Sequence, residues 1–102
     1  MIIRFSAEAD AELTEAREWY SHQRENLDLE FMQSIEDALL RVVHGPHSFP
    51  LVYRNLRRAV VRRFPFAVFY VAGDNEIQVV AVFHSRRDPG RWKSRVRSRL
   101  TS

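Results

Sequence analysis

The chain has 102 residues, no Cys and a formal net charge of +3. That length suits one domain with a modest core, and the lack of Cys excludes a disulfide framework and any thiolate ligand or nucleophile. The small net charge conceals a segregation of sign. Residues 1–50 hold four Arg and ten Asp or Glu, a balance of −6, whereas residues 51–102 hold eleven Arg, one Lys and three Asp or Glu, a balance of +9. Such asymmetry predicts an acidic partner or a polyanion meeting the second half. Fifteen Arg against one Lys suits bidentate contact with carboxylate or phosphate. Codon bias explains that ratio equally well, but not the separation of sign.

The N-terminal stretch MIIRFSAEADAEL lacks the apolar core of a secretory signal, and no run reaches membrane-spanning length, so a cytoplasmic domain is the expectation. MIIRF reads as a short first strand. Ser6 is placed to cap a helix, with Glu8 and Asp10 in the first turn where the helix dipole favours carboxylates. Ala9, Leu13, Ala16 and Tyr20 then recur at i, i+4, i+7 and i+11, one stripe of an amphipathic helix with Trp19 beside it. After the polar HQRENLD, the residues Phe31, Ile35, Ala38 and Val42 repeat that spacing, joined by Leu39, until Gly45 and Pro46 stop the second helix. The remaining Glu residues of both helices read as solvated faces.

The second half supplies the surface such a hairpin needs. LVY (51–53), AVVRRF (59–64), FAVFYV (66–71) and IQVVAVF (77–83) are strand-like runs, and Gly73–Asn75 reads as a hairpin turn between antiparallel strands. The last run is apolar on both faces and predicts a central strand covered on both sides. The expected fold is a single α+β domain over residues 1–102, ordered β-α-α-β-β-β. Its N-terminal helical hairpin packs on one face of a small, mostly antiparallel sheet, and a short basic C-terminal helix or tail follows.

Two basic constellations carry the chemistry. Along a continuous strand, Arg58 and Arg62 would project to one side and Arg57 and Arg63 to the other. They form either a platform for phosphate or carboxylate or the charged protection of a solvated edge. The second constellation follows the last strand: His84, Arg86, Arg87, Arg91, Trp92, Lys93, Arg95, Arg97 and Arg99. There guanidiniums suit developing negative charge, a His suits proton transfer, and a Trp suits stacking or anchoring in a groove. Equally, His84 reads as a hydrogen-bonded structural residue and Trp92 as core. The four His (22, 44, 47 and 84) have no trustworthy ligand spacing, so neither a metal nor another cofactor is expected.

ADAELTEAREWY, a second helix ending in a Pro-containing loop, FPFAVFY at 64–70 and AVFHSRRDPGRW at 81–92 together resemble the RelE/ParE toxin superfamily over nearly the whole chain. The resemblance implies the toxin of a type II toxin–antitoxin pair, neutralised by a cognate acidic antitoxin. RelE-type members are ribosome-dependent mRNA endonucleases. Residue by residue, Arg58 and Val60 fall at two usual basic positions, Ala67 at a usual Arg, Arg86 at the Arg after the last strand and Trp92 at the Tyr. Only Arg58 and Arg86 keep the required type. Indole N–H is a donor only, so Trp92 cannot serve as base; a nuclease would rely on His84, with Arg58, Arg63 and Arg86 on phosphate. ParE-type members inhibit DNA gyrase by binding, and the resemblance favours them. Arg57, Arg62, Arg86, Arg87, Arg91, Trp92, Lys93 and Arg95 would then contact the target or the antitoxin. A non-toxic basic binding domain of the same fold is the third reading.

Overall fold

The computed structural model describes residues 1–85 and Arg95. It begins with strand β1 (Ile2–Phe5), followed by helices α1 (Ala7–Ser21) and α2 (Leu27–His44). Strands β2 (Leu51–Tyr53), β3 (Leu56–Val60), β4 (Phe66–Ala72) and β5 (Glu76–His84) complete the described elements. The strands form one sheet ordered β1-β5-β4-β3-β2, in which β1 runs parallel to β5 and every other neighbour is antiparallel. The α+β order is as expected, and all four strand-like runs of the second half contribute a strand, one more than the order β-α-α-β-β-β counts; LVY is the edge, paired with β3 through the two-residue connection Arg54–Asn55.

Ser6 starts α1 by accepting a hydrogen bond from the Ala9 N–H at 3.0 Å, which satisfies one of the helix's unpaired donors. Ala9, Ala16 and Tyr20 are buried, and Leu13 packs against them. From α2, Phe31, Ile35, Ala38 and Val42 enter the same core. They meet Ala59, Phe66, Val68, Tyr70, Ile77, Val79 and Val82 from the sheet. Burying each large apolar side chain there contributes about 1.5–3 kcal/mol. Tyr20, Phe31, Phe64 and Phe66 form a knot of rings with centroids 5.0–6.2 Å apart. On the opposite face Leu56, Ala67, Phe69, Val80, Ala81 and Phe83 make a second buried cluster, so β5 is indeed covered on both sides.

The run AVVRRF departs from expectation. Strand β3 covers Leu56–Val60, and residues 61–65 turn the chain instead of extending it. The turn is closed by Val61 N–H to Phe66 O at 2.9 Å and Phe66 N–H to Phe64 O at 2.8 Å. Arg63 takes a left-handed conformation with φ 72°, unusual for a side chain with a Cβ. Arg62 and Arg63 therefore do not belong to the strand, and the expected alternation of four Arg about one strand is replaced by Arg57 and Arg58 alone.

A bulge at Val80 sets the faces of β5: Tyr70 pairs with Val79, and Phe69 with Ala81. Strand β1 pairs only with Glu76–Val79. The outer edge of β5 beyond Val79 is thus left for something other than β1 to satisfy.

Candidate functional site

That edge lies under α1. The Ser6 N–H donates to Val79 O at 2.9 Å and the Ser6 hydroxyl to Val80 O at 3.3 Å. Six residues further along, Glu12 takes over the role of a strand: its Oε1 accepts the Val82 N–H at 3.0 Å. Its Oε2 closes an ion pair with Arg95 Nη2 at 2.7 Å. Arg95 is helical and its side chain is largely buried; it also donates from Nη1 to Val80 O at 3.3 Å, with its guanidinium carbon 4.8 Å from the Phe83 ring centroid. A residue expected to contact a partner thus also joins α1 to the edge of β5.

Beside this junction a cleft of about 410 Å³ opens between α1 and the ends of β4 and β5. Glu12, Glu15, Ala16 and Trp19 stand at i, i+3, i+4 and i+7 along one helical wall. Tyr20, Pro65, Phe66, Val82, Phe83 and His84 complete the lining. His84 ends β5 opposite Phe66, with the two rings 5.2 Å apart and at 70°.

The arginines of β3 divide between the faces of the sheet. Arg57 projects to the helix side, where its Nη1 donates to His47 O at 3.1 Å and Phe49 O at 2.6 Å. It ties the loop after α2 to the sheet. Arg58 is exposed on the other side, paired with Phe69 and followed on that face by Val60, whose partner is Ala67. His84 shares the helix side with Phe66 and Val82, so the sheet separates His84 from Arg58.

Arg62 is exposed in the turn after β3. Arg63 donates to Glu30 at 2.7 Å, and Arg24 reaches the other oxygen of that carboxylate at 2.8 Å. Hydrogen bonds from Arg24 and then Arg63 hold the Glu30 carboxyl below the usual carboxylate range. Arg86, Arg87, Arg91, Trp92, Lys93, Arg97 and Arg99 lie outside the described residues, as does the expected basic helix or tail apart from Arg95.

The sequence reading missed Glu12, Glu15 and Trp19, taken as solvated face and flank. Their shared helical face is legible in the spacing; the shortness of β1, which gives that face something to meet, is not. Among the described residues no group of three His, Asp or Glu side chains is placed to hold a metal ion, and no helix is long and apolar enough to cross a membrane.

The family model for the ParE toxin of the type II toxin–antitoxin system parDE matches residues 3–89. Among solved structures, a chain of the chromosomal ParDE toxin–antitoxin system from P. aeruginosa is similar at 19% identity with a TM-score of 0.69, over 82% of this chain and 95% of that one. No curated protein sequence matches the chain.

Proposed function

We propose, for a chain that belongs to the ParE toxin family of type II toxin–antitoxin systems, that it arrests growth by binding DNA gyrase and not by cutting mRNA. Its cognate acidic antitoxin neutralises it by covering basic surface. The observation that carries this reading is the separation of His84 from Arg58 by the sheet. Cleavage at a ribose 2′-hydroxyl needs a base and a cation converging on one phosphate. Here the only polar side chain at the matching strand positions is Arg58, with Val60, Ala67 and Phe69 around it.

An exposed guanidinium beside exposed Val60 suits a protein interface, in which Arg and apolar groups are enriched over Lys. Arg58 and Arg62 make contacts in this reading, and the basic C-terminal residues Arg86, Arg87, Arg91, Trp92 and Lys93 are assigned to the same partner. The segregated charge of the two halves steers the encounter.

Purified protein should stop gyrase supercoiling and leave mRNA on translating ribosomes intact. His84→Ala should keep that inhibition. Cleavage of ribosome-bound mRNA, lost in His84→Ala, would restore the nuclease reading. Expression without an antitoxin that leaves growth unaffected would remove both and leave the non-toxic binding domain.

A further inference from the structure

Helix α1 is the most acidic element of a basic chain: Glu8, Asp10, Glu12, Glu15 and Glu18 stand against Arg17 alone. Two of these carboxylates, Glu12 and Glu15, line the cleft together with the rings of Trp19, Tyr20, Phe66 and His84. The Trp19 and Tyr20 centroids are 5.1 Å apart, those of Tyr20 and Phe66 6.2 Å, and those of Phe66 and His84 5.2 Å, so the rings form one continuous array. Trp19 is 56% exposed, a large apolar surface left at the rim.

Carboxylates beside aromatic surface repel phosphate and attract a cation with an apolar body. The junction beside the cleft already displays that chemistry. There one guanidinium, that of Arg95, sits between the Glu12 carboxylate at 2.7 Å and the Phe83 ring at 4.8 Å. The cleft itself repeats the elements with Glu15, Trp19 and Phe66, and Glu15 makes no ion pair among the described residues.

We propose that the cleft between α1 and the ends of β4 and β5 binds one cationic side chain, arginine or lysine, of a partner polypeptide. Glu15 supplies the counter-charge, and Trp19 and Phe66 the aromatic walls. The site is distinct in sign from the basic surface of β3 and does not depend on whether the target is gyrase. An otherwise acidic partner chain can therefore be held at two chemically different places, carboxylates on the arginines and one cation in this cleft. A positively charged protein gains register from that arrangement, because the reversed peptide would set like charges together.

The test uses the full chain carrying Trp92→Phe, labelled with fluorotryptophan so that fluorine NMR reports Trp19 alone. Acetyl-Gly-Arg-Gly-amide is titrated against its citrulline counterpart, which has the same shape without the charge. The arginine peptide should shift the Trp19 resonance saturably, and the citrulline peptide should bind roughly tenfold more weakly. Glu15→Gln, an exposed substitution, should weaken the arginine peptide roughly three- to tenfold, whereas Thr14→Gln, off the cleft, should not. Equal binding of the two peptides, or no saturable shift, overturns the proposal. So does binding that emerges only when Arg86, Arg87 and Arg91 are replaced by Gln, which would make the chain's own basic segment the occupant.

Discussion

Glu12 of α1 spends both carboxylate oxygens on β5 and its neighbour: Oε1 on the Val82 N–H at 3.0 Å, Oε2 on Arg95 at 2.7 Å. The side chains of Glu12 and Arg95 are each 18% exposed, so neither charge is easily returned to water. Glu12→Ala leaves the Val82 N–H unsatisfied and the Arg95 guanidinium without its counter-charge, and should cost about 2–3 kcal/mol. Glu12→Gln keeps an acceptor for Val82 and loses only the charge, so about 1 kcal/mol is expected. Urea unfolding of the two variants measures the difference. Equal losses would mean that the strand bond contributes nothing and the ion pair everything.

Neighbouring arginines of β3 should behave oppositely. Arg57 is held by His47 O and Phe49 O, and its replacement by Ala removes charge-assisted bonds worth about 1.5–3 kcal/mol. Arg58 is exposed, so Arg58→Ala should change stability by no more than about 0.5 kcal/mol. In gyrase inhibition, measured at a temperature where both variants are folded, the order should reverse, with Arg58→Ala the weaker inhibitor. If Arg57→Ala alone impairs inhibition, the open face of β3 is not the contact surface.

The contrast between these two arginines shows where sequence stops informing. The helical stripes were legible because Phe31, Ile35, Ala38 and Val42 repeat at helical spacing, and all four are buried. Strand β5 was legible because an apolar run of that length has to be covered on both faces. The turn after β3 was not. Val61 and Phe64 are apolar and buried, so the run reads as a strand through Phe64, although the backbone reverses at Arg63. Pattern records which side chains are buried, and a buried turn looks like a strand. The faces of Arg57 and Arg58 follow from strand alternation, but which face carries the helices depends on long-range pairing. Glu12 is the extreme case, since its role exists only because β1 ends at Phe5 while β5 runs on to His84.

The Glu30 carboxylate accepts from Arg24 and Arg63, and its pKa is lowered in the folded protein. A depressed folded pKa stabilises the fold above the unfolded value and loses that contribution as pH falls through the folded value. Stability measured from neutral pH downward should therefore decline less steeply for Glu30→Gln than for the wild type across the carboxylate range. Arg63→Ala should flatten the same limb, because it removes the second-largest of the bonds that lower the pKa. The group is exposed, so high salt should shrink the difference. Parallel acid limbs for all three proteins would show that the cluster is not coupled to folding.

At the opposite end of the pH scale stands Tyr70, fully buried in β4, whose hydroxyl donates to Pro46 O at 2.7 Å. Burial pushes its phenol pKa up, with the Arg57 charge opposing in smaller measure. In the unfolded chain the phenol ionises at about 10, while the folded protein still holds the proton. Between the two values the unfolded state binds fewer protons, so stability falls as pH rises. The contribution is complete below the unfolded pKa and is lost as pH climbs through the folded one. Tyr70→Phe removes the titrating group together with its bond to Pro46 O. It should cost about 1 kcal/mol at neutral pH, and the gap to the wild type should narrow as pH passes 10. Urea midpoints at neutral and alkaline pH, with phenolate absorbance near 295 nm to follow ionisation, measure both effects. A gap that stays constant through the alkaline range would mean that Tyr70 ionises in the folded protein as readily as in the unfolded chain.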